Sequence, residues 1–244
     1  MKVYDTLLIG SGYYAVGYAD ARGNCLIVEE GQVADTSFYL PMRGFGVSDM
    51  HPTTAGGERL LACINEMGLI DRRGLCVNGL ESALARHILA IGAPLRLKCR
   101  VVRRRAEGAL TALTLQSNEG LCEVYAREVI DTRPPKKNPR QSILLCGGDD
   151  RAAAEALLAA FPDATLAPAF YEGRSVMTIP AVGYDENSIK VMIHARFPRV
   201  AGLRLMYIAP AFAADACGAG ATDAAYPDPV AAYDAGFLAG EVAK

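Results

Sequence analysis

The stretch Ile9-Gly10-Ser11-Gly12-Tyr13-Tyr14-Ala15 decides how this chain folds. It fits the pattern G-x-G-x-x-G/A, in which each small residue has a physical task. Gly10 permits a tight turn from a strand into a helix. Gly12 lacks a Cβ, so a pyrophosphate can approach the backbone. Ala15 is small enough for the helix to lie close on the strand. The free N–H groups and positive dipole end at the helix start then attract phosphate. Ser11, Tyr13 and Tyr14 complete the cradle.

The flanks supply the context that a lone glycine motif lacks. Val3 to Ile9 is a short apolar run and predicts a buried parallel strand. Tyr13 to Arg22 predicts a helix that Gly23-Asn24 ends. Cys25 to Val28 predicts a second buried strand. Glu29 and Glu30 follow, where a carboxylate accepts hydrogen bonds from the hydroxyls of an adenosine ribose. Glu29 is the first choice, because it follows Val28 directly. The plain alternative is a βαβ unit whose glycines only make a turn.

Composition narrows the classes. The chain has 244 residues, 51% of them hydrophobic and 21% charged, which suffices for a core and excludes disorder. The net charge of −2, with both signs interspersed, speaks against nucleic-acid or anionic-membrane partners. Seven cysteines occur without a C-x-x-C pair or a Cys/His cluster at zinc spacing, so neither a metal nor disulfides are expected. Cys217 stands apart from the others, in a Gly/Ala-rich loop. No signal peptide or membrane-length apolar run is visible, and a cytoplasmic location is expected.

Further along, residues 31–56 show no periodicity and predict a long functional loop. Glu58 to Met67 predicts a helix. Asn78 to Ile91 predicts another, with Asn78 as its cap and Glu81 in capping-box position. Leu95 to Arg104, Ala109 to Ser117 and Cys122 to Ile130 predict three strands, the last two joined by a turn at Asn118-Glu119-Gly120. The breaker cluster Pro134 to Pro139 is the best candidate boundary. Beyond it, Ser142–Cys146, Ser175–Ile179, Ile189–His194 and a buried Leu203–Ala209 read as strands. Arg151–Phe161 and Pro229–Val242 read as helices, the latter capped by Asp228 with Pro229 in its first position.

With these residues in view, the chain resembles the glutathione-reductase-like group of FAD-dependent oxidoreductases. The opening Tyr4 to Gly12 and the ending Leu26-Ile27-Val28-Glu29 of the second strand carry the likeness. So do Leu80 to Val101, similar to the helix leading into the strand whose backbone faces adenine, with Val101 in that position. Ala126 to Thr132 resembles the strand that returns to the cofactor, and Gly202 to Lys244 the closing strand, glycine-rich loop and final helix. The resemblance implies noncovalent FAD, with Thr132, Arg133 and Asp215 near it and the helix start at Pro229 facing the flavin ring. It also places the loop holding Arg43, Asp49 and His51 beside the flavin. Three departures stand out. Asp131-Thr132-Arg133-Pro134 replaces the family's Ala-Thr-Gly, Ala209-Pro210-Ala211-Phe212 replaces its Gly-Asp or Gly-Glu pair, and only residues 134–201 remain for a substrate region. Arg133 either fills space that the family leaves to its cofactor or contacts a phosphate.

The expected architecture is α/β: a Rossmann-like FAD/NAD(P)-binding domain with a parallel sheet flanked by helices on both sides, a β-meander and a small α+β insertion. It divides as 1–133 plus 202–244 for the dinucleotide and 134–201 for a cap. The expected function is an FAD-dependent oxidoreductase with a small-molecule substrate. A nucleotide-binding partner subunit or sensor with a degraded flavin pocket, and an NAD(H) enzyme, stay open as alternatives. So does assembly as a homo-oligomer.

Overall fold

The computed structural model describes residues 2–33, 36–42, 50–71, 74–134, 139–213 and 221–243. The first half runs β1 (Val3–Ile9), α1 (Tyr13–Arg22), β2 (Cys25–Val28), α2 (Thr36–Tyr39), α3 (Ala55–Glu66), the short pair β3 (Ile70–Asp71) and β4 (Gly74–Leu75), and α4 (Leu80–Ile91). Strands β5 (Leu95–Arg96), β6 (Arg100–Glu107), β7 (Leu110–Ser117) and β8 (Gly120–Asp131) follow. The second half runs β9 (Pro139–Cys146), α5 (Arg151–Ala160), β10 (Thr165–Pro168), β11 (Arg174–Pro180), α6 (Glu186–Arg196), β12 (Arg204–Ile208), β13 (Phe212–Ala213) and α7 (Pro229–Val242).

The first sheet has six strands in the order β5-β2-β1-β8-β7-β6. β5, β2, β1 and the second half of β8 are parallel, whereas β8, β7 and β6 form an antiparallel meander. The twelve residues of β8 serve both parts, pairing with β7 up to Ala126 and with β1 from Tyr125 to Asp131. Side chains alternate across β1. Leu8 joins a core with α1, α3, α4 and α7, while Leu7 and Ile9 join Leu26, Leu113 and Leu115 on the other face. That second face is built from strand residues and Cys99, so the expected flanking helices lie on one side only among the described residues.

Helix α7 packs on α1 backbone to backbone. A Cβ at Gly236 would run into the Tyr14 carbonyl, one at Gly17 into the Tyr233 carbonyl, and one at Gly240 would lie 2.5 Å from the Tyr18 oxygen. Glycine at these positions brings the two helix axes together, and α7 in turn lies on α3. Gly56 receives the rings of Phe237 and Tyr233, and Gly57 receives the Asp234 carboxylate.

The second sheet is antiparallel, in the order β10-β11-β9-β12, with β13 also on β9. One face holds Ile143, Leu145, Met177 and Ile179 against Leu157 of α5 and Ile189 and Ile193 of α6. The other face holds Val176 and Ala209 against Leu40 and Met42.

Several expectations are corrected here. Ile189–His194 lies in helix α6, not in a strand. Asp185 and Ser188 form a capping box, and of its β-branched residues Ile189 and Ile193 are buried at helical spacing while Val191 is 69% exposed. The strand expected to close the first sheet, β12, pairs antiparallel with β9 in the second sheet, and as an edge strand it is largely exposed. Leu95 to Arg104 is broken into β5 and β6, with Lys98 at φ 51° between them. Helix α3 begins at Ala55, earlier than the glycines suggest, because Thr54 caps it by accepting from Gly57 N. Asn78 is not the cap of α4. It sits in a 3-10 turn at Val77–Gly79, and its amide donates to the Tyr171 hydroxyl.

Candidate cofactor site

The end of β1 and the start of α1 form the turn the sequence calls for. Gly10 has φ +108°, a conformation that favours glycine, and its N–H donates to Val28 O at 2.9 Å. Thr132 fastens the end of β8 to this turn, donating from N and from Oγ1 to Ile9 O, both at 2.9 Å. Ala15, in the first turn of α1, is fully buried.

The polar groups of the cradle are held by the chain itself. Tyr13 N donates to Asp223 Oδ2 at 2.8 Å, and Tyr14 N to Asp223 Oδ1 at 2.7 Å. Asp223 is 1% exposed. The space left by the absent Cβ of Gly12 faces the same carboxylate, whose oxygens would lie 2.6 and 2.9 Å from such a carbon. Glu29 accepts from Ser11 N at 2.9 Å, Ser11 Oγ at 3.1 Å and Gly31 N at 2.7 Å. A carboxylate on the first amides of a helix is favoured by the helix dipole and by charge-assisted hydrogen bonds. Asp223 and Glu29 therefore stand where the phosphates and the ribose of a dinucleotide would seek partners.

The tyrosines are parts of the wall. Tyr13 is fully buried, donates to Leu80 O at 3.1 Å and meets Phe38 edge to face at 5.7 Å. Burial first, then the neighbouring Asp223, push its phenol well above the ordinary range. Tyr14 stacks on Tyr226 at 6.1 Å. A cavity of about 420 Å³ adjoins the cradle, lined by Tyr13, Glu29, Phe38, Leu40, Glu81 and Pro210, and its size suits a ligand pocket.

The other expected site residues scatter. Arg133 lies over Gly10, where a Cβ would meet its Cγ at 3.1 Å. It pairs with Asp131 at 2.7 Å and with Glu30 at 3.0 Å, so it fills space and salt-bridges within the chain. Val101 sits on the edge strand β6, and the chain meets the end of β2 two residues earlier, where Cys99 N donates to Glu29 O. Pro229 opens α7 as expected, but Asp228 accepts from Val230 and Ala231 there, so those two amides do not project outward unpartnered. Arg43, Asp49, Asp215 and Cys217 lie outside the described residues. His51 is exposed. His194 is in the last turn of α6. Among the described residues no group of three or more His, Cys, Asp or Glu could hold a metal ion, and no helix is long and apolar enough to cross a membrane.

Sequence reasoning missed the part that Asp223 plays at the start of α1. The acid sits among small residues, and its contact reaches back 210 positions.

A dinucleotide such as FAD fits this cradle in backbone shape: a bare Cα at Gly12, a tight turn at Gly10 and a helix start behind them. It does not fit while the Asp223 carboxylate occupies the amides.

No family model matches the chain, and no curated protein matches it in sequence. Solved structures do share its fold. A geranylgeranyl bacteriochlorophyll reductase-like protein from Thermoplasma acidophilum superposes with a TM-score of 0.57 at 14% identity, over 100% of this chain and 78% of that one. The p-nitrophenol 4-monooxygenase of Pseudomonas putida gives 0.51 at 11% identity, over 85% and 67%. A flavoprotein/dehydrogenase from Cytophaga hutchinsonii gives 0.50 at 14% identity, over 99% and 78%. The chain spans from about half to about three quarters of the length of the structures it matches. These likenesses show the fold alone: a mixed α/β fold that carries a second, antiparallel sheet.

Proposed function

We propose that the chain is an oxidoreductase that binds FAD noncovalently across Gly10–Ala15 and acts on a small-molecule substrate. The observation that carries this is the complete unit β1–glycine turn–α1–β2–Glu29, with Gly10 at positive φ and the bare Gly12 at the helix start. The solved structures that share the fold add support, being a monooxygenase, a reductase-like protein and a flavoprotein/dehydrogenase. When bound, the flavin would supply the hydride or electron chemistry. The chain's residues would bind and orient it: the Tyr13 and Tyr14 amides at the pyrophosphate, Glu29 at the ribose, and the cavity beside Phe38 and Leu40 toward the substrate.

A second reading has its own observation. Asp223 and Glu29 are both satisfied within the chain, as in a nucleotide fold that has turned to binding a partner subunit or to sensing. Titrating the purified chain with FAD and with NAD(H), followed by flavin fluorescence and nucleotide absorbance, separates the readings. The flavin reading expects saturable FAD binding, lost in Gly12→Val. It also expects about tenfold or more weakening in Glu29→Ala, from removal of a charge-assisted hydrogen bond. No FAD binding by the wild-type chain would remove it, and NAD(H) binding alone would favour a nicotinamide enzyme.

A further inference from the structure

We propose that Asp223 is the resident anion of the glycine cradle, and that a phosphate-bearing ligand binds there only by displacing it. This rests on reading the cradle as a dinucleotide site.

Three features of the cradle would serve a pyrophosphate: the first amides of α1, the bare Cα of Gly12 and the positive end of the helix. All three converge on one carboxylate. Its two oxygens take one amide each, at 2.7 and 2.8 Å, and they lie against the Gly12 Cα. The geometry is bidentate, and the site is shielded from water, so salt screens it little. A phosphate could not share these amides with Asp223. Two like charges a few ångströms apart in a buried site repel strongly.

The turn that carries Asp223 is closed by its own backbone hydrogen bonds. Ala225 N donates to Thr222 O at 3.1 Å and Tyr226 N to Asp223 O at 3.0 Å, and the Tyr226 ring stacks on Tyr14. Next to Asp223, Thr222 buries its hydroxyl without a hydrogen-bond partner. Thr222 is 8% exposed, so water does not relieve it. The residue next to Asp223 thus carries a buried hydroxyl that the folded chain leaves unmatched. Asp223 then sets the selectivity of the site. Ligands with two linked phosphates, which can replace both carboxylate contacts, gain entry, whereas the nucleoside alone does not dislodge it. The affinity measured for any such ligand is lowered by the fraction of molecules in which Asp223 is seated.

The test is calorimetric titration of the full chain, as wild type, Asp223→Asn and Asp223→Ala, with ADP, inorganic pyrophosphate, adenosine and FAD. The amide resonances of Tyr13 and Tyr14 are followed in ¹⁵N-labelled protein. Both variants should bind ADP and pyrophosphate at least tenfold more tightly than wild type, with adenosine unchanged. In the wild type, saturating pyrophosphate should move both amide resonances. Asp223→Asn preserves shape, so it serves if the alanine variant does not fold. Unchanged or weaker ADP and pyrophosphate binding in the folded variants overturns the proposal, as does wild-type pyrophosphate binding that leaves both resonances in place. Weaker FAD binding with tighter ADP keeps it and makes Asp223 also a contact of the flavin half. Tighter ADP and pyrophosphate with no FAD binding by any form removes the flavin reading and leaves the proposal standing.

Discussion

His87 and Tyr233 meet through a 2.9 Å hydrogen bond between imidazole Nε2 and the phenol oxygen, in the interior of the helical layer. The Tyr233 hydroxyl gives its one proton to Asp20 at 2.6 Å, and Asp20 pairs with Arg59 at 2.6 Å. The phenol oxygen must therefore accept from His87, which puts a proton on Nε2. Burial pushes the His87 pKa down, outweighing the nearby Asp20. The folded state thus binds a proton less readily than the unfolded chain. Above the ordinary histidine value near 6.5 this has no effect. As pH falls below it, the unfolded state gains a proton that the folded state refuses, and stability declines until the folded pKa is reached. One such group contributes at most about 1.4 kcal/mol per pH unit. Urea midpoints measured between pH 7.5 and 5 should fall, and more steeply in the wild type than in His87→Gln. Equal slopes would show that another group governs the acid limb.

The contact of α1 with α7 tolerates no side chain. Gly236→Ala drives a methyl into the Tyr14 carbonyl and should cost on the order of 3 kcal/mol or more. Leu238→Ala, on the same helix but 49% exposed, should stay within about 0.5 kcal/mol. Chemical denaturation compares the two. Similar losses would mean that the helices can separate without penalty.

Asp234 is 4% exposed and accepts from Thr53 N at 2.5 Å, Thr53 Oγ1 at 2.9 Å and Thr54 Oγ1 at 2.5 Å. It thereby ties α7 to the start of α3. Asp234→Ala removes the acceptor of all three, leaves the buried Thr54 hydroxyl unmatched, and should lower stability by about 2 kcal/mol. Asp234→Asn, which keeps an acceptor, should recover part of it. Thermal melts of both variants read the difference.

The thiols should sort by burial. Cys25 is fully buried, and burial pushes its thiol up to about 11. Cys99 is 1% exposed and is raised for the same reason. At pH 8 a thiol reagent should leave both intact in the folded protein, while a denatured, unreduced sample should titrate all seven cysteines of the sequence. Mass spectrometry of modified peptides identifies the sites, and early labelling of Cys25 would contradict the burial argument.

The β1–α1–β2 unit was legible at residue level because its signals are local. Apolar runs, two glycines and an acid lie within thirty positions, and the elements fall at Val3–Ile9, Tyr13–Arg22 and Cys25–Val28 as the sequence implies. Helix α7 was legible through Asp228 and Pro229. Helix α6 was not, since Ile189, Val191 and Ile193 suggest a strand. The capping signal at Asp185 and Ser188 was present and outweighs them. The start of α3 was hidden because Gly56 and Gly57 look like breakers. Their role, room for Phe237 and Asp234, depends on residues far along the chain. The same distance hid Asp223, since no local pattern says that an acid beyond residue 220 will cap a helix at residue 13.

The crossing of α1 and α7 also governs the order in which the molecule can form. Its contacts join distant positions such as Asp20 and Tyr233, 213 residues apart, so they demand closure of a very long loop before they return any stabilisation. During synthesis, β1, α1 and β2 leave the ribosome long before their covering helix exists. The glycine face of α1, bare around Gly17, must wait. A nascent chain halted ahead of Pro229 should expose this face and bind a hydrophobic dye or a chaperone. Release of the last helix should then lock the first sheet and its helices in a single late step.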